Sequence, residues 1–155
     1  MKVYIRPLCV LDALTSYRWR NDPDIWKFTE TKPDRYITKE IETEWIHTVL
    51  NDATSKRFAI CTTEGDVYIG NVQLTDITNV TAQLHIFIGD KSYWGKGIST
   101  VATKLILQYA REILNLKKIF LVVNINNIAA IKTYLKNNFL LLDSCNEFYK
   151  MEVIL

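Results

Sequence analysis

The 155-residue chain is poor in the residues that mark disulfide-rich, fibrous and disordered proteins. It has three cysteines, three prolines and five glycines, so a disulfide scaffold, a collagen-like repeat and a Pro/Gly-rich linker are excluded. It has no apolar run near the ~18 residues that a membrane span needs, and its first residues do not read as a signal peptide. We therefore expect a single domain over residues 1–155, cytoplasmic and without a membrane partner.

The chain also lacks a charge excess of either sign. Nineteen basic and seventeen acidic side chains give a net charge of +2, and no basic tract is present, so no nucleic-acid partner is expected. Cys9, Cys61 and Cys145 are widely spaced in apolar surroundings, which favours buried free thiols. No metal site is expected. Hydrophobic residues make up 48% of the chain, which is enough for a core.

Hydrophobic periodicity predicts an α/β (α+β) fold. Strands are predicted at 2–6, 58–62, 67–74, 81–88, 118–123, 139–142 and 148–154, and helices at 11–20, 38–51, 98–114 and 128–137. Turns are predicted at residues 65–66 and 76–79. This order indicates a mixed, mostly antiparallel sheet of six to seven strands flanked by about four helices.

A loop of sequence SYWGKGIST (residues 92–100) follows a predicted strand and opens a predicted helix. Two glycines let a ligand approach the backbone, and free N–H groups at a helix start favour a phosphate. The loop is not a P-loop, because five residues separate Gly89 from Gly95 and Gly97 follows Lys96. It is not a dinucleotide fingerprint, since Thr100 stands where the third glycine belongs. A tight turn with a glycine at the helix start is the alternative.

A second motif, N-x-x-A-I-x-x-Y-x-K-x-N-F over residues 127–139, lies downstream of this loop. Together the two motifs resemble the GNAT superfamily, in particular the branch of ribosomal-protein, spermidine and amino-sugar N-acetyltransferases. The segments RNDP (20–23) and IGNV (69–72) also resemble that branch. The resemblance implies one GNAT domain that transfers acetyl from acetyl-CoA directly to a primary amine of a small molecule, such as a nucleotide-linked amino sugar. A protein N-terminus as acceptor and a non-catalytic coenzyme A-binding module are the open alternatives for function, and the enzyme is compatible with a homodimer.

The resemblance also implies which residues hold the coenzyme. The pyrophosphate is expected on the loop formed by Trp94, Gly95, Lys96, Gly97, Ile98 and Ser99. The pantetheine arm is expected along Phe87 and Ile88, which requires the strands at 81–88 and 118–123 to splay apart. Asn127 is expected to contact the coenzyme, with a pure helix cap as the alternative. Two positions depart from the family pattern: Ser92 replaces a Gln or Arg, and Asn138 replaces a Gly whose left-handed backbone an Asn can adopt.

The implied catalytic residues are Tyr134 and His85. Tyr134 stands where the family protonates the leaving sulfur. Since a phenol titrates near ~10 and a thiol near ~8.5, Tyr134 is expected to donate a hydrogen bond or relay a proton, and a packed helix tyrosine is the alternative. His85 is the best candidate base because imidazole titrates near neutral pH, although a structural histidine is equally compatible. Asp76, Glu30 and His47 are lesser candidates.

The resemblance implies an acceptor site between the first two helices and the third and fourth strands. Arg20 and Asn21 are predicted to pair with a substrate phosphate or carboxylate, although Arg20 could instead bridge structural elements. Trp26 and Trp45, together with Phe28 and Tyr36, are predicted to wall the pocket. The alternative for each aromatic residue is that it fastens these helices to the sheet.

Overall fold

Seven strands form one mixed sheet in the computed structural model, which describes residues 1–29 and 32–155. The strands are β1 (Val3–Pro7), β2 (Lys56–Thr62), β3 (Tyr68–Thr75), β4 (Thr81–Ile88), β5 (Lys118–Asn124), β6 (Leu140–Cys145) and β7 (Phe148–Ile154). The α-helices of these residues are α1 (Ala13–Arg20), α2 (Lys39–Leu50), α3 (Ile98–Glu112) and α4 (Ile128–Lys136), with short 3-10 helices at Val10–Asp12 and Lys91–Tyr93.

The sheet order is β1-β2-β3-β4-β5-β7-β6. Neighbouring strands are antiparallel except β4 and β5, which pair in parallel and are joined by the crossover helix α3. The predicted mixed, mostly antiparallel sheet with about four helices is confirmed. The predicted helix at 11–20 is in fact a 3-10 turn followed by α1, and the predicted strand at 139–142 continues to Cys145.

Alternation along the strands gives the sheet two different faces. On one face Ile60, Val72 and Leu84 pack with Ile106 of α3 and form the main core. On the other face Ala59 and Cys61 of β2 pack with Ile46 of α2, Ala13 and Leu8 in a smaller cluster. Helices α1 and α2 therefore cover the part of the sheet that β1 to β4 form, and they position the side chains that follow on that face.

A side-chain cap fixes the start of α2. Thr38 caps α2 by accepting a hydrogen bond from the Ile41 N–H at 3.1 Å.

The prediction of buried thiols is right for Cys61 but wrong for Cys9 and Cys145, which are exposed. Cys9 lies just beyond β1, and Cys145 ends the edge strand β6, all of whose residues are exposed. No helix among the described residues has the length and apolarity needed to cross a membrane.

Candidate active site

The loop before α3 has the geometry of an anion site. Gly95 and Gly97 both have a φ of 74°, and a Cβ built on either would meet no atom within 4 Å. The glycines are therefore required by their left-handed backbone, and the space above them is open. Gly97 is also the N-cap residue of α3 and gives it no side-chain cap. The first N–H groups of a 15-residue helix are thus left for a ligand or solvent.

Hydrogen bonds on both sides hold this loop in place. Asp90 accepts from the Ser92 N–H at 3.0 Å and from the Ser92 hydroxyl at 2.6 Å, so the serine that departs from the family pattern shapes the turn. The Trp94 indole N–H donates to the Ile88 carbonyl at 2.9 Å. Lys91 forms ion pairs of 3.0 Å with both Asp22 and Asp24. These contacts join the loop to the end of β4 and to the segment that follows α1.

Strands β4 and β5 diverge below this loop. They pair only from Thr81 with Lys118 to Gln83 with Phe120, whereas β4 stays paired with β3 as far as Ile88. The expected splay is therefore present. The Gly89 N–H donates to the Ile69 carbonyl on the β3 side at 2.8 Å. Alternation along the strand then turns the backbone groups of Ile86 and Ile88 toward the open edge, where the Ile88 carbonyl accepts from the Trp94 indole and the other groups are left for a ligand. An extended chain with amides, such as a pantetheine arm, fits an edge of this kind.

Tyr134 of α4 lies in the main core with 7% of its surface exposed. Its ring packs on Phe139 at 5.7 Å between centroids, and burial raises the pKa of its hydroxyl to about 12. No group of residues 1–29 and 32–155 hydrogen-bonds this hydroxyl. A neutral phenol that holds its proton and has no partner is free to donate to a ligand.

Both ends of α4 are fixed by asparagines. Asn127 caps the start by accepting from the Ala130 N–H at 3.3 Å, so the capping role is present whether or not the residue also contacts coenzyme. Asn138 follows the helix with a φ of 68°, the left-handed backbone expected of it. Asn137 is buried and donates to the carbonyls of Thr133 and Thr100 at 3.0 and 3.2 Å. Because Thr100 lies in the first turn of α3, this bond holds the Tyr134 helix beside the loop.

His85 lies on the face of β4 that α1 and α2 share, as its alternation with buried Leu84 predicts. The β3–β4 register has no shift, so no bulge changes this orientation. His85 Nε2 is 3.0 Å from the Thr75 hydroxyl. Although the ring is exposed to solvent, surrounding protein atoms desolvate it and lower its pKa, the positive charge of Arg57 lowers the pKa further, and Asp76 opposes both effects. The imidazole is therefore neutral at pH 7, the form in which it accepts a proton.

Two tryptophans and one phenylalanine pack together on the face of β4 that α1 covers. Trp19 is buried against Gly89, where any side chain would collide with the indole. Phe87 lies 6.0 Å from Trp19 and 5.9 Å from Trp26 between ring centroids. The Trp26 indole N–H donates to the Trp19 carbonyl at 3.0 Å. The Phe87 side chain thus lies on the face of the sheet where the acceptor is predicted, and its backbone pairs with Asn71 of β3.

Arg20 is held between two indoles. Its guanidinium carbon lies 4.9 Å from the Trp45 ring centroid and 5.5 Å from that of Trp26. Its Nη1 donates to Glu42 at 3.1 Å, and Glu42, which is 2% exposed, also accepts from Ser16 at 2.8 Å. Burial raises the pKa of Glu42, while the bonds from Ser16 and Arg20 lower it. Arg20 therefore joins α1 to α2, with only part of its donor capacity left for a substrate.

The other residues predicted for this region differ in their surroundings. The Asn21 amide donates to the carbonyls of Tyr17 and Ile37 and accepts from the Ile37 N–H, which favours a structural role. Tyr36 and His47 are exposed on the surface. Phe28 is half-buried beneath Lys27, and Glu30 lies outside the described residues.

Three important residues were not singled out by sequence patterns. Glu42 is the buried partner of Arg20. Asn137 joins α4 to α3. Arg57 stacks on Trp45 at 5.2 Å and acts on His85. The available signal was a polar or charged residue within each apolar pattern, which predicts a specific partner but does not identify it.

Comparisons with known proteins agree with this geometry. The profile of the family described as "Acetyltransferase (GNAT) domain" matches residues 2–140. Acetyltransferase PseH of Campylobacter jejuni subsp. jejuni serotype O:2 is 31% identical over 134 residues, which cover 86% of this chain and 80% of that protein. Spermidine N(1)-acetyltransferase of Escherichia coli K12 is 30% identical over 140 residues, covering 88% and 72%. This chain belongs to the GNAT acetyltransferase family and is an N-acetyltransferase.

Solved structures show the same fold. Spermidine N-acetyltransferase of Vibrio cholerae, solved with CoA and spermine, has a TM-score of 0.87 at 22% identity and covers 98% of this chain and 95% of its own. The crystal structure of Campylobacter jejuni PseH has a TM-score of 0.75 at 19% identity, covering 98% and 97%. At 22% and 19% identity, this structural similarity shows the fold and does not identify the acceptor.

Proposed function

We propose that the protein transfers acetyl from acetyl-CoA directly to the primary amine of a small molecule, such as a nucleotide-linked amino sugar. A bond forms between the amine nitrogen and the acetyl carbon, and the carbon–sulfur bond breaks. The amine proton passes to a base, and the departing sulfur accepts a hydrogen bond or a proton. No covalent acyl-enzyme is required, because direct attack needs only the two substrates side by side.

The open loop supports the donor half of this proposal. The backbone of residues 94–99 would hold the pyrophosphate at the start of α3, with Lys96 and Ser99 beside it. The pantetheine arm would follow β4 at Phe87 and Ile88, along the edge that β5 leaves. Asn127 would contact the coenzyme from the start of α4. The space above Gly95 and Gly97 fits this use, since no protein atom occupies it.

The observation that carries the proposal is Tyr134, whose ring is buried while its hydroxyl has no hydrogen-bond partner among the described residues and is not one of their fully buried polar atoms. A phenol oxygen that reaches the edge of the core without a partner can donate to a ligand there. A pKa of about 12 keeps the phenol protonated throughout the working pH range. Tyr134 would then stabilise the departing thiolate as a hydrogen-bond donor.

His85 would act as the base for the amine. An alkyl amine with a pKa of about 10.4 is only ~1 part in 2,500 neutral at pH 7, so removal of its proton needs help. The imidazole is neutral at that pH and lies on the face of β4 opposite the core. Asp76 acts on the same ring and would attract the ammonium form of an approaching amine.

The aromatic group formed by Trp26, Trp45 and Phe87 supports a small acceptor. Flat rings with Arg20 stacked between two of them suit a sugar or a nucleobase. The acceptor site would lie between α1, α2 and β4, with Arg20 and Asn21 at its margin. The acetylation of spermidine by a relative that is 30% identical supports the class of small amines without naming the amine.

The test measures release of free coenzyme A with a panel of amino sugars, polyamines and peptides, and identifies each product by mass. We expect at least one small amine to be acetylated, with peptides being poor acceptors. Efficient acetylation of peptide N-termini alone would contradict the proposal, and coenzyme A binding without any turnover would favour a non-catalytic module.

A further inference from the structure

Three polar side chains lie in a row across the face of the sheet that α1 and α2 share. Arg57 of β2 is directly opposite Gln73 of β3, and Gln73 is directly opposite His85 of β4. Residues that face each other across antiparallel strands point to the same side. Since neighbouring strands are about 4.8 Å apart, the Arg57 and His85 backbones are separated by roughly 10 Å.

The charge of Arg57 is not balanced by an acid. Its guanidinium carbon lies 5.2 Å from the Trp45 ring centroid, and its Nε is buried without a hydrogen-bond partner. Burial lowers its pKa, and only Asp52 opposes this from a distance. The Asp52 carboxylate is exposed and accepts from the Thr54 N–H and hydroxyl. A partly buried cation with unused donors is a site where an anion is stabilising.

Arg20 provides the contrast on the other side of the same indole. Both arginines contact Trp45, yet Arg20 has its charge balanced by Glu42 at 3.1 Å. The structure gives Arg57 no equivalent acid among residues 1–29 and 32–155. The charged groups that act on His85 are Arg57 on one side and Asp76 on the other. The row therefore runs from a positive end at Arg57 to an end at His85 and Asp76 that suits an amine.

We propose that Arg57, with Gln73 beside it, binds an anionic group of the acceptor, so that the substrate is an amine carrying a phosphate or carboxylate. This inference rests on the proposed acetyl transfer. The anion sits over β2 and the amine over β4. A polyamine has no group for the positive end and is repelled there. Arg57 is thus a specificity residue that selects acceptors by charge.

The first test compares acceptors that differ in charge. Glucosamine 6-phosphate, muramic acid, glucosamine and spermidine are assayed with wild type, Arg57→Gln and Lys56→Gln. Lys56 is the matched control, because it is exposed on the same strand and loses the same charge. We expect Arg57→Gln to lower kcat/KM at least tenfold for the phosphate or carboxylate amine, mainly through KM, and to leave glucosamine unchanged. Preference for spermidine, with ratios unaffected by Arg57→Gln, would overturn the inference.

The second test does not depend on acetyl transfer. The chain has two histidines, so proton NMR follows the pKa of His85 with exposed His47 as an internal control. Inorganic pyrophosphate bound at Arg57 would cancel its charge and raise the pKa of His85 in wild type and in Lys56→Gln, but not in Arg57→Gln. An equal rise in Arg57→Gln would overturn the inference. If no amine is acetylated, the proposed function fails while this titration still decides whether Arg57 binds an anion.

Discussion

Replacing Tyr134 with phenylalanine removes one hydroxyl oxygen and leaves the buried ring in place. The ring keeps its contact with Phe139 at 5.7 Å, and the lost hydroxyl has no partner among the described residues. We therefore expect the free energy of unfolding to stay nearly the same, because no hydrogen bond is lost and the buried ring is kept. A loss of activity in this variant would then report chemistry and not folding.

The size of that loss follows from the pKa of the phenol. Its value of about 12 compares with about 8.5 for a thiol, so complete proton transfer to the thiolate is uphill by roughly 3.5 units, or about 5 kcal/mol. Tyr134 is accordingly a hydrogen-bond donor. A hydrogen bond to a charged group contributes about 1.5–3 kcal/mol, which corresponds to a loss of roughly 10- to 150-fold in kcat.

Steady-state release of coenzyme A measures kcat, and calorimetry measures coenzyme A affinity. Tyr134→Phe should lower kcat by this factor with nearly unchanged affinity. Tyr109→Phe is the control, since Tyr109 is a half-buried tyrosine of α3 that packs on Phe58, and it should leave both quantities unchanged. An unaltered kcat in Tyr134→Phe would refute the assigned role.

Three further predictions follow from other parts of the site. Because the pKa of His85 is lowered, wild-type activity should fall only below pH ~6.5 as the ring gains its proton. His85→Gln should flatten this acidic limb of the pH–rate profile, and an unchanged limb would exclude His85 as the base. Gly97→Ala and Gly65→Ala both place a side chain at positive φ, and each should lower the free energy of unfolding by about 1 kcal/mol. Only Gly97→Ala should weaken coenzyme A binding in calorimetry, and equal affinities of the two variants would contradict the loop assignment. Glu42→Ala should lower the free energy of unfolding, measured by urea denaturation, by about 2–4 kcal/mol, since it leaves Arg20 unpaired. Glu44 is exposed, so a comparable loss in Glu44→Ala would show that the ion pair is not responsible.

Local patterns were enough to predict most of the fold. The periods of β4 and β7 predict their bounds at 81–88 and 148–154 without error, because alternating or apolar runs bounded by turn residues have few other solutions. The start of α3 at Ile98 follows from Gly97, whose left-handed backbone no other residue adopts as easily. The left-handed conformation of Asn138 was predictable for the same local reason.

The contacts that shape the candidate site depend on pairing between distant segments. Arg57 and His85 lie in one row, on either side of Gln73, only because of the register between β2, β3 and β4, and the sequence of a single strand does not specify that register. For Arg20 the sequence predicts either a substrate contact or a bridge between structural elements, and it does not reveal that the partner is Glu42, 22 residues away. The apolar pattern of α2 does not reveal this acid, since a buried charge is predictable only when its partner is known.

Calorimetric titration of the protein with acetyl-CoA, free coenzyme A and ATP tests whether the loop before α3 holds the coenzyme. We expect micromolar binding of both coenzyme A species and no binding of ATP, because the pantetheine arm along β4 adds to the phosphate contacts at Gly95 and Gly97. Absence of coenzyme A binding would contradict the assignment of this loop and leave it as a structural turn.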